Sequence, residues 1–320
     1  MSQQDRDNDR EPSLPKPYDF VPLPPGCPRL EKPTGHHRYR ADRYSGTLTA
    51  TIHARSPVHV ASGLLEPTRD RQYPLVKGVF RSQGIPVIPG TSLKGCVRAI
   101  AEAISGSAVQ VTRARDLPCE YMPQRGVEQL DVAQRIFGAM GYQGAFAFAD
   151  APQVTGQTTI VPTPQLFRPR SEAHDTYFDG RQPRGRKFYM HGTLAEGDLP
   201  LEACAVGSTF TLRANFSDMS AGELGLVLAA LGLGEPRWHP KLGGAKPACL
   251  GTIEITDVAL SAFNGASGYS DFDAAPQDLE IGPLLQAAIS NKLLLSSPAT
   301  KLAEILRWPN EDRSCPDRSY

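Results

Sequence analysis

Two glycine-centred stretches carry residue types that can grip an anion. In Ile88-Pro89-Gly90-Thr91-Ser92-Leu93-Lys94, Gly90 permits a sharp turn into a helix. The first backbone N–H groups of a helix lack intrahelical partners, and with the helix dipole they favour a phosphate. Thr91 or Ser92 is placed to cap that helix, while Lys94 and Arg98, four residues apart, share one helix face and could follow a nucleic-acid backbone. In Lys241-Leu242-Gly243-Gly244-Ala245-Lys246 the small residues allow close backbone approach and the lysines supply point charges. A third cluster, Arg181, Arg184, Arg186 and Lys187 followed by Phe188 and Tyr189, interleaves cations with rings, which suits single-stranded or distorted nucleic acid. Each stretch also has a plainer reading: a turn, a solvated charged face, a charged loop with an aromatic anchor.

Groups able to do acid–base work are scattered. Asp70 lies between Arg69 and Arg71, a setting that also describes an ordinary surface carboxylate. His53, His59, His174 and His191 show no spacing that pairs an acid with a base. Cys27 with His36 and His37 fits no standard metal-ligand spacing, and the six cysteines contain no Cys-x-x-Cys. No metal site or cofactor is called for, and a divalent metal enters only if the chain cuts RNA.

The 320 residues are 40% hydrophobic, enough for a full core. Lys and Arg total 34, as do Asp and Glu, so the formal charge is zero. A free-standing nucleic-acid binder usually carries a basic excess, so RNA binding here must depend on where the cations sit. The opening residues lack the apolar stretch of a signal peptide, and the longest nearly apolar run, Leu224 to Leu233, is far short of the ~18–20 residues a membrane span needs. A soluble protein of a reducing cytoplasm, without a membrane partner, is the expectation.

The elements that must position these residues are legible from periodicity. Residues 1–45 are charged and proline-rich, an arm unsuited to helix or sheet interiors and expected to be disordered or to contact another subunit. Thr47 to Arg55 alternates apolar and polar residues, a half-buried strand. A helix with Leu93, Val97, Ile100 and Ile104 on one face follows, then a helical stretch carrying Val127, Leu130, Ala133 and Phe137. Ala145 to Asp150 reads as a second strand. A long insertion, about 151–205, precedes a third strand at Thr209 to Phe216, a helix with Leu224, Val227, Leu228 and Leu231, and a last strand at Gly251 to Thr256. This order predicts an α+β fold: a ferredoxin-like (RRM-like) antiparallel sheet with two helices on one face, spanning 46–262. Residues 263–320 form a tail with one amphipathic helix, about Ile281 to Leu306, broken near Ser297-Pro298. The face away from the helices carries Thr49, Thr51, His53, Arg55, Thr211, Arg213 and Asn215. An RNA-recognition-motif domain stacks bases on aromatic residues there, so contacts to phosphate and ribose are expected instead.

Three segments together resemble the RAMP superfamily of CRISPR RNA-binding proteins, the backbone subunits of type III effectors in particular. They are Ser56-Pro57-Val58-His59-Val60-Ala61-Ser62-Gly63, then Ile85-Pro86-Val87-Ile88-Pro89-Gly90-Thr91-Ser92-Leu93-Lys94-Gly95-Cys96-Val97-Arg98, then Leu242-Gly243-Gly244-Ala245-Lys246 through Leu250-Gly251. The resemblance covers most of 46–260. It implies that this chain holds CRISPR RNA, that complementary target RNA and other CRISPR effector subunits are its partners, and that the glycine-rich turn lies by the RNA. The insertion then corresponds to a thumb wedged into the guide–target duplex. It implies an RNA-binding set of Gly90, Thr91, Ser92, Lys94, Arg98, His53, Arg55, Arg184, Arg186, Lys187, Lys241, Gly243, Gly244 and Lys246. Many such subunits cleave target RNA with an aspartate in the loop before the first helix. The matching stretch here reads Gln72-Tyr73-Pro74, and a glutamine cannot ionise. Three readings therefore stay open: a guide-holding subunit, a target-cleaving endoribonuclease using Asp70, and a scaffold protein of a defence complex that binds no RNA.

Overall fold

The structure is a computed structural model describing residues 17–26, 28–109, 117–123, 126–166, 174–263 and 275–316. In chain order the first half holds β1 (Tyr18–Val21), β2 (Tyr44–Ala54), β3 (Ala61–Pro67), β4 (Leu75–Val79), β5 (Arg81–Ser82), β6 (Ile85–Ile88), α1 (Gly90–Ile104), α2 (Val132–Phe137), β7 (Phe146–Phe148) and β8 (Ala151–Thr155). Next come β9 (Thr158–Thr163), α3 (His174–Tyr177), β10 (Phe178–Asp179), β11 (Gln182–Pro183), β12 (Arg186–Tyr189), β13 (Leu199–Cys204) and β14 (Thr209–Met219). The chain continues through α4 (Ala221–Ala230), β15 (Ile253–Phe263), β16 (Gln277–Asp278), α5 (Ile281–Ser290) and α6 (Ser296–Ile305).

The architecture is α+β with antiparallel pairing predominating, as the pattern predicts. β2 and β14 lie antiparallel at the centre of an eight-stranded sheet ordered β16-β15-β2-β14-β8-β6-β5, with β7 also paired to β14. The alternation is physical: Leu48, Ile52, Phe210, Leu212 and Phe216 are buried against α1 and α4, while Thr49 and Arg213, opposite one another, face out. From α1 the core takes Leu93, Val97, Ile100 and Ile104. Each such side chain fully buried contributes about 1.5–3 kcal/mol.

Several elements depart from the sequence expectation. Helix α2 spans only Val132–Phe137, opened by a capping box between Asp131 and Gln134; Leu130 is outside it, bridged to Glu31. The C-terminal helix is two helices. The break falls at 291–295, and Pro298 sits in the first turn of α6, where a missing N–H costs nothing. The described part of the proline-rich arm lies on the domain: β1 pairs with β12, placing Tyr18 opposite Tyr189, and Arg40 and Arg43 reach the carboxylates of Asp218 and Glu223. Prolines forbid a central strand but not this short edge pairing. The insertion is likewise built in. β8 joins the main sheet, β9 and β13 pair, and β13 runs parallel to β4 in a four-stranded sheet ordered β3-β4-β13-β9. Cys249 and Cys315 form a disulfide, a pairing the cysteine spacing does not announce.

Candidate nucleic-acid interface

The glycine-rich turn packs directly on the segment after β2. The Gly244 N–H donates to the His59 carbonyl at 2.8 Å, the Gly251 N–H to Pro57 at 2.9 Å, and the Thr252 N–H to the Ser56 hydroxyl at 2.8 Å. Gly243 has φ +87°, and a Cβ there would stand 2.3 Å from the His59 carbonyl oxygen, so both conformation and approach require glycine. The second turn of α1 completes the cluster: the Cys96 thiol reaches the Lys241 carbonyl at 3.5 Å, and the Lys246 charge acts on that thiol. His59 itself is buried, its Nδ1 donating to the Glu202 carbonyl at 2.6 Å, and burial lowers its pKa. Segments far apart in the chain thus converge at one end of the domain.

The individual residues divide into those facing solvent and those used inside. Lys94 is half-buried and Lys246 half-exposed, and neither has a carboxylate partner among the described residues; burial, then Arg98, lowers the Lys94 pKa. Lys77 on β4, near enough to His59 for its charge to act there, is exposed and also without such a partner. Thr91 is exposed and Ser92 half-buried, but neither caps the helix. Pro89 occupies the N-cap, its carbonyl accepting from Ser92 and Leu93, while the Gly90 N–H donates to Asp150 Oδ1 at 2.7 Å. Gly90 is needed because a Cβ would lie 2.4 Å from the Phe148 carbonyl. Of the N–H groups after Gly90 expected to meet a phosphate, those of Ser92 and Leu93 donate to the Pro89 carbonyl, and the Asp150 carboxylate stands at the Gly90 N–H beside them.

Arg98 and Arg186 are turned inward, against the expectation that they face RNA. Glu102, buried on α1, holds both: Arg98 Nε at 2.8 Å and Arg186 Nη1 at 2.8 Å. Arg98 also donates to the Gly138 carbonyl, and Arg186 to those of Ser107 and Ala108. Burial lowers the Arg186 pKa. A carboxylate inside the apolar run Ile100-Ala101-Glu102-Ala103-Ile104 is the sign in the sequence that cations would be drawn in. Lys241 is also buried, donating to the Met190 carbonyl, and burial with the nearby Lys246 charge pushes it down to about 7. Lys187 lies over the rings of Tyr18, Tyr189 and Tyr177 at 4.3, 4.9 and 5.5 Å, a cation–π clamp between β1 and β12.

His53 donates to the Thr256 hydroxyl at 2.9 Å, and Arg55 is bound by Glu254, which also holds Arg237. Arg184 and Arg181 are exposed near the β10–β11 hairpin. Asp70 is exposed, but its Oδ1 accepts from the N–H groups of Gln72 and Tyr73 at 2.8 and 3.3 Å, the geometry of a turn-forming aspartate. Among the described residues no group of three or more His, Cys, Asp and Glu side chains is placed to share a metal. Cys27 lies outside the described residues.

The sequence model of one protein family, the RAMP superfamily, matches residues 51–235, more than half of the chain. This chain belongs to the RAMP superfamily. The match opens inside β2 and ends beyond α4, so it takes in the segment after β2 and the opening of α1 but not the glycine-rich turn. RAMP domains are ferredoxin-like, and membership supports CRISPR-associated RNA binding. No curated protein matches the chain. No helix among the described residues is long and apolar enough to cross a membrane.

Proposed function

We propose that this RAMP protein is a CRISPR RNA-binding backbone subunit of a type III effector ribonucleoprotein. It grips the guide along its backbone, leaving sequence specificity to guide–target pairing. The observation that supports this reading is the meeting of the segment after β2, the first turns of α1 and the glycine-rich turn at one end of the domain. Lys94, Lys246 and Lys77 supply the uncommitted charge there, and Thr91 supplies a hydroxyl. The ferredoxin-like core is β2, α1, β7, β14, α4 and β15, with strand order β15-β2-β14-β7. In the insertion, the β10–β11 hairpin with Arg181 and Arg184 is the part proposed to reach the guide–target duplex. The proposed setting is the cytoplasm, and the proposal assigns no cleavage step.

The test is to purify the tagged chain from its host and sequence the RNA that accompanies it. Short RNAs with repeat-derived tags are expected, and protein partners without such RNA would refute the reading. In the same particle, Lys94→Ala with Lys246→Ala should weaken RNA binding across all sequences and lower the salt slope by about one for each lysine removed.

A further inference from the structure

At the opposite end of β2 from the glycine-rich turn, a second set of exposed side chains is held on a rigid loop. The eleven-residue strand separates the two ends by ~33 Å. The loop is Thr34 to Arg43. Arg40 bonds the Asp218 carboxylate at 2.7 Å and the Thr34 carbonyl at 2.7 Å, and Arg43 bonds Glu223 at 2.8 Å. The His36 Nε2 donates to the Gln143 carbonyl at 2.8 Å, its ring lies 5.3 Å from that of Tyr142, and the Tyr142 hydroxyl bonds back to Thr34 and Gly35. Ordering a loop this thoroughly costs entropy that a mere connection need not spend.

The tip of the loop does not pack. His37 and Arg38 are exposed, and Tyr39 is 46% exposed. The Ala139–Tyr142 turn, joined to the loop through the contact of Tyr142 with His36, lifts Met140 to 95% exposure. Arg38 on the loop and Lys32 just before it have no carboxylate partner among the described residues; Asp42 is the loop's exposed carboxylate, and Glu31 beside Lys32 is tied to Arg29 and Arg135. Flat rings and a thioether interleaved with unpaired cations, preorganised on a rigid scaffold, match a partner that offers π-faces and phosphates in alternation. A protein hot spot instead needs a contiguous apolar centre that can be desolvated, which these separated side chains do not form.

We propose that this loop, with Lys32 just before it and Met140 on the Ala139–Tyr142 turn, is a second RNA-contacting surface, stacking unpaired bases on Tyr39 and Met140 while Arg38 and Lys32 hold the flanking phosphates. The inference rests on the RNA-binding reading above. It differs in place, since it lies outside the three motif segments, and in mode, since it takes bases rather than backbone alone.

The test uses the full-length chain purified with whatever assembles on it. Photo-crosslinking to single-stranded RNA containing 4-thiouridine, with peptide mapping, should mark the loop peptide carrying Arg38 and Tyr39. Arg38→Ala with Tyr39→Ala should lose about fivefold or more in RNA affinity, and Tyr39→Phe should keep the stacking share. An unchanged melting temperature guards against misfolding. Crosslinks confined to the Lys94 and Lys246 peptides, with wild-type affinity in the Arg38/Tyr39 variant, would overturn this surface and leave the guide-binding reading standing. Loss of a protein subunit with RNA affinity intact would assign the loop to a protein partner and also overturn it. Failure of the wild-type particle to bind RNA would refute the guide-binding reading and this surface with it.

Discussion

Arginine placement separates the two uses of charge in this chain. Arg186 looks from sequence like part of a basic RNA-facing cluster, yet its guanidinium is buried against Glu102 and two carbonyls. Arg98 stays on Glu102 when Arg186 is removed, so the loss is one of two cationic partners of a buried carboxylate and the donor to two carbonyls, about 1–3 kcal/mol. Arg186→Ala should therefore lower stability by that order in denaturant melts, whereas Arg184→Ala, at an exposed position, should change it by less than about 0.5 kcal/mol. Equal and small effects would return Arg186 to the surface. A second residue-scale prediction concerns pH. His191 is buried, its Nε2 donating to the His239 carbonyl at 2.9 Å and its Nδ1 accepting from Thr252 at 2.8 Å. Burial first, then the Lys241 charge, pushes its pKa from 6.5 down to about 3. Between those values the unfolded chain binds a proton that the folded one does not. Stability is thus complete above pH 6.5 and falls as pH drops toward 3, by about 2 kcal/mol at pH 5. His191→Gln, which can keep a donor and an acceptor, should flatten that acid-side slope when unfolding is measured at pH 7 and pH 5.

Among the elements, α4 shows how packing decides what propensity leaves open. It is apolar nearly all round because α1 lies on one side and α5 on the other. Gly225 lets α5 come close: a Cβ there would stand 1.9 Å from the Leu284 carbonyl oxygen. Gly225→Ala would gain about 1 kcal/mol of helix propensity in isolation. Here the backbone clash should outweigh it, for a net loss of about 1–3 kcal/mol, read as a lower melting temperature. A stabilised variant would mean that α5 yields freely. The same distinction explains what can be read in advance. The alternation in β2 and β14 reports burial on one face, a local property, so their faces are legible residue by residue. The pairing of β1 with β12 joins residues about as far apart as Tyr18 and Tyr189, and no local pattern encodes a partner at that separation. Gly90 and Gly243 are legible as positions that need glycine. That Asp150 occupies the Gly90 donor is not, because it depends on where the end of β7 lands.

For the whole molecule, the C-terminal segment raises the question of compartment. Its residues run beside 192–193, the Thr193 N–H donating to Arg313 at 2.8 Å and the Cys315 N–H to Thr193 at 3.2 Å, and the Cys249–Cys315 bond fastens it beyond the glycine-rich turn. Cys249 follows the short turn Lys246–Ala248, so the bond anchors the base of the loop that presents Lys246. It packs with Val161, Ala195, Leu201, Ala203, Ala248 and Leu250 in a small core of its own. Closing a span of 66 residues restricts the unfolded chain by about 4 kcal/mol in the chain-entropy account. A cytoplasmic protein would meet thiol reductants that open such bonds. One experiment with two readouts separates the cases. Unfolding free energy with and without dithiothreitol should differ by about that amount, and Cys315→Ser should reproduce the reduced value in either buffer. RNA affinity should survive reduction if the protein works in the cytoplasm, because β2, α1 and α4 form a separate core that does not include the two sulfurs. RNA binding that disappears on reduction, returns on reoxidation and is missing from Cys315→Ser would instead mean that the bond holds Lys246 in its working position and that the chain serves where the bond persists.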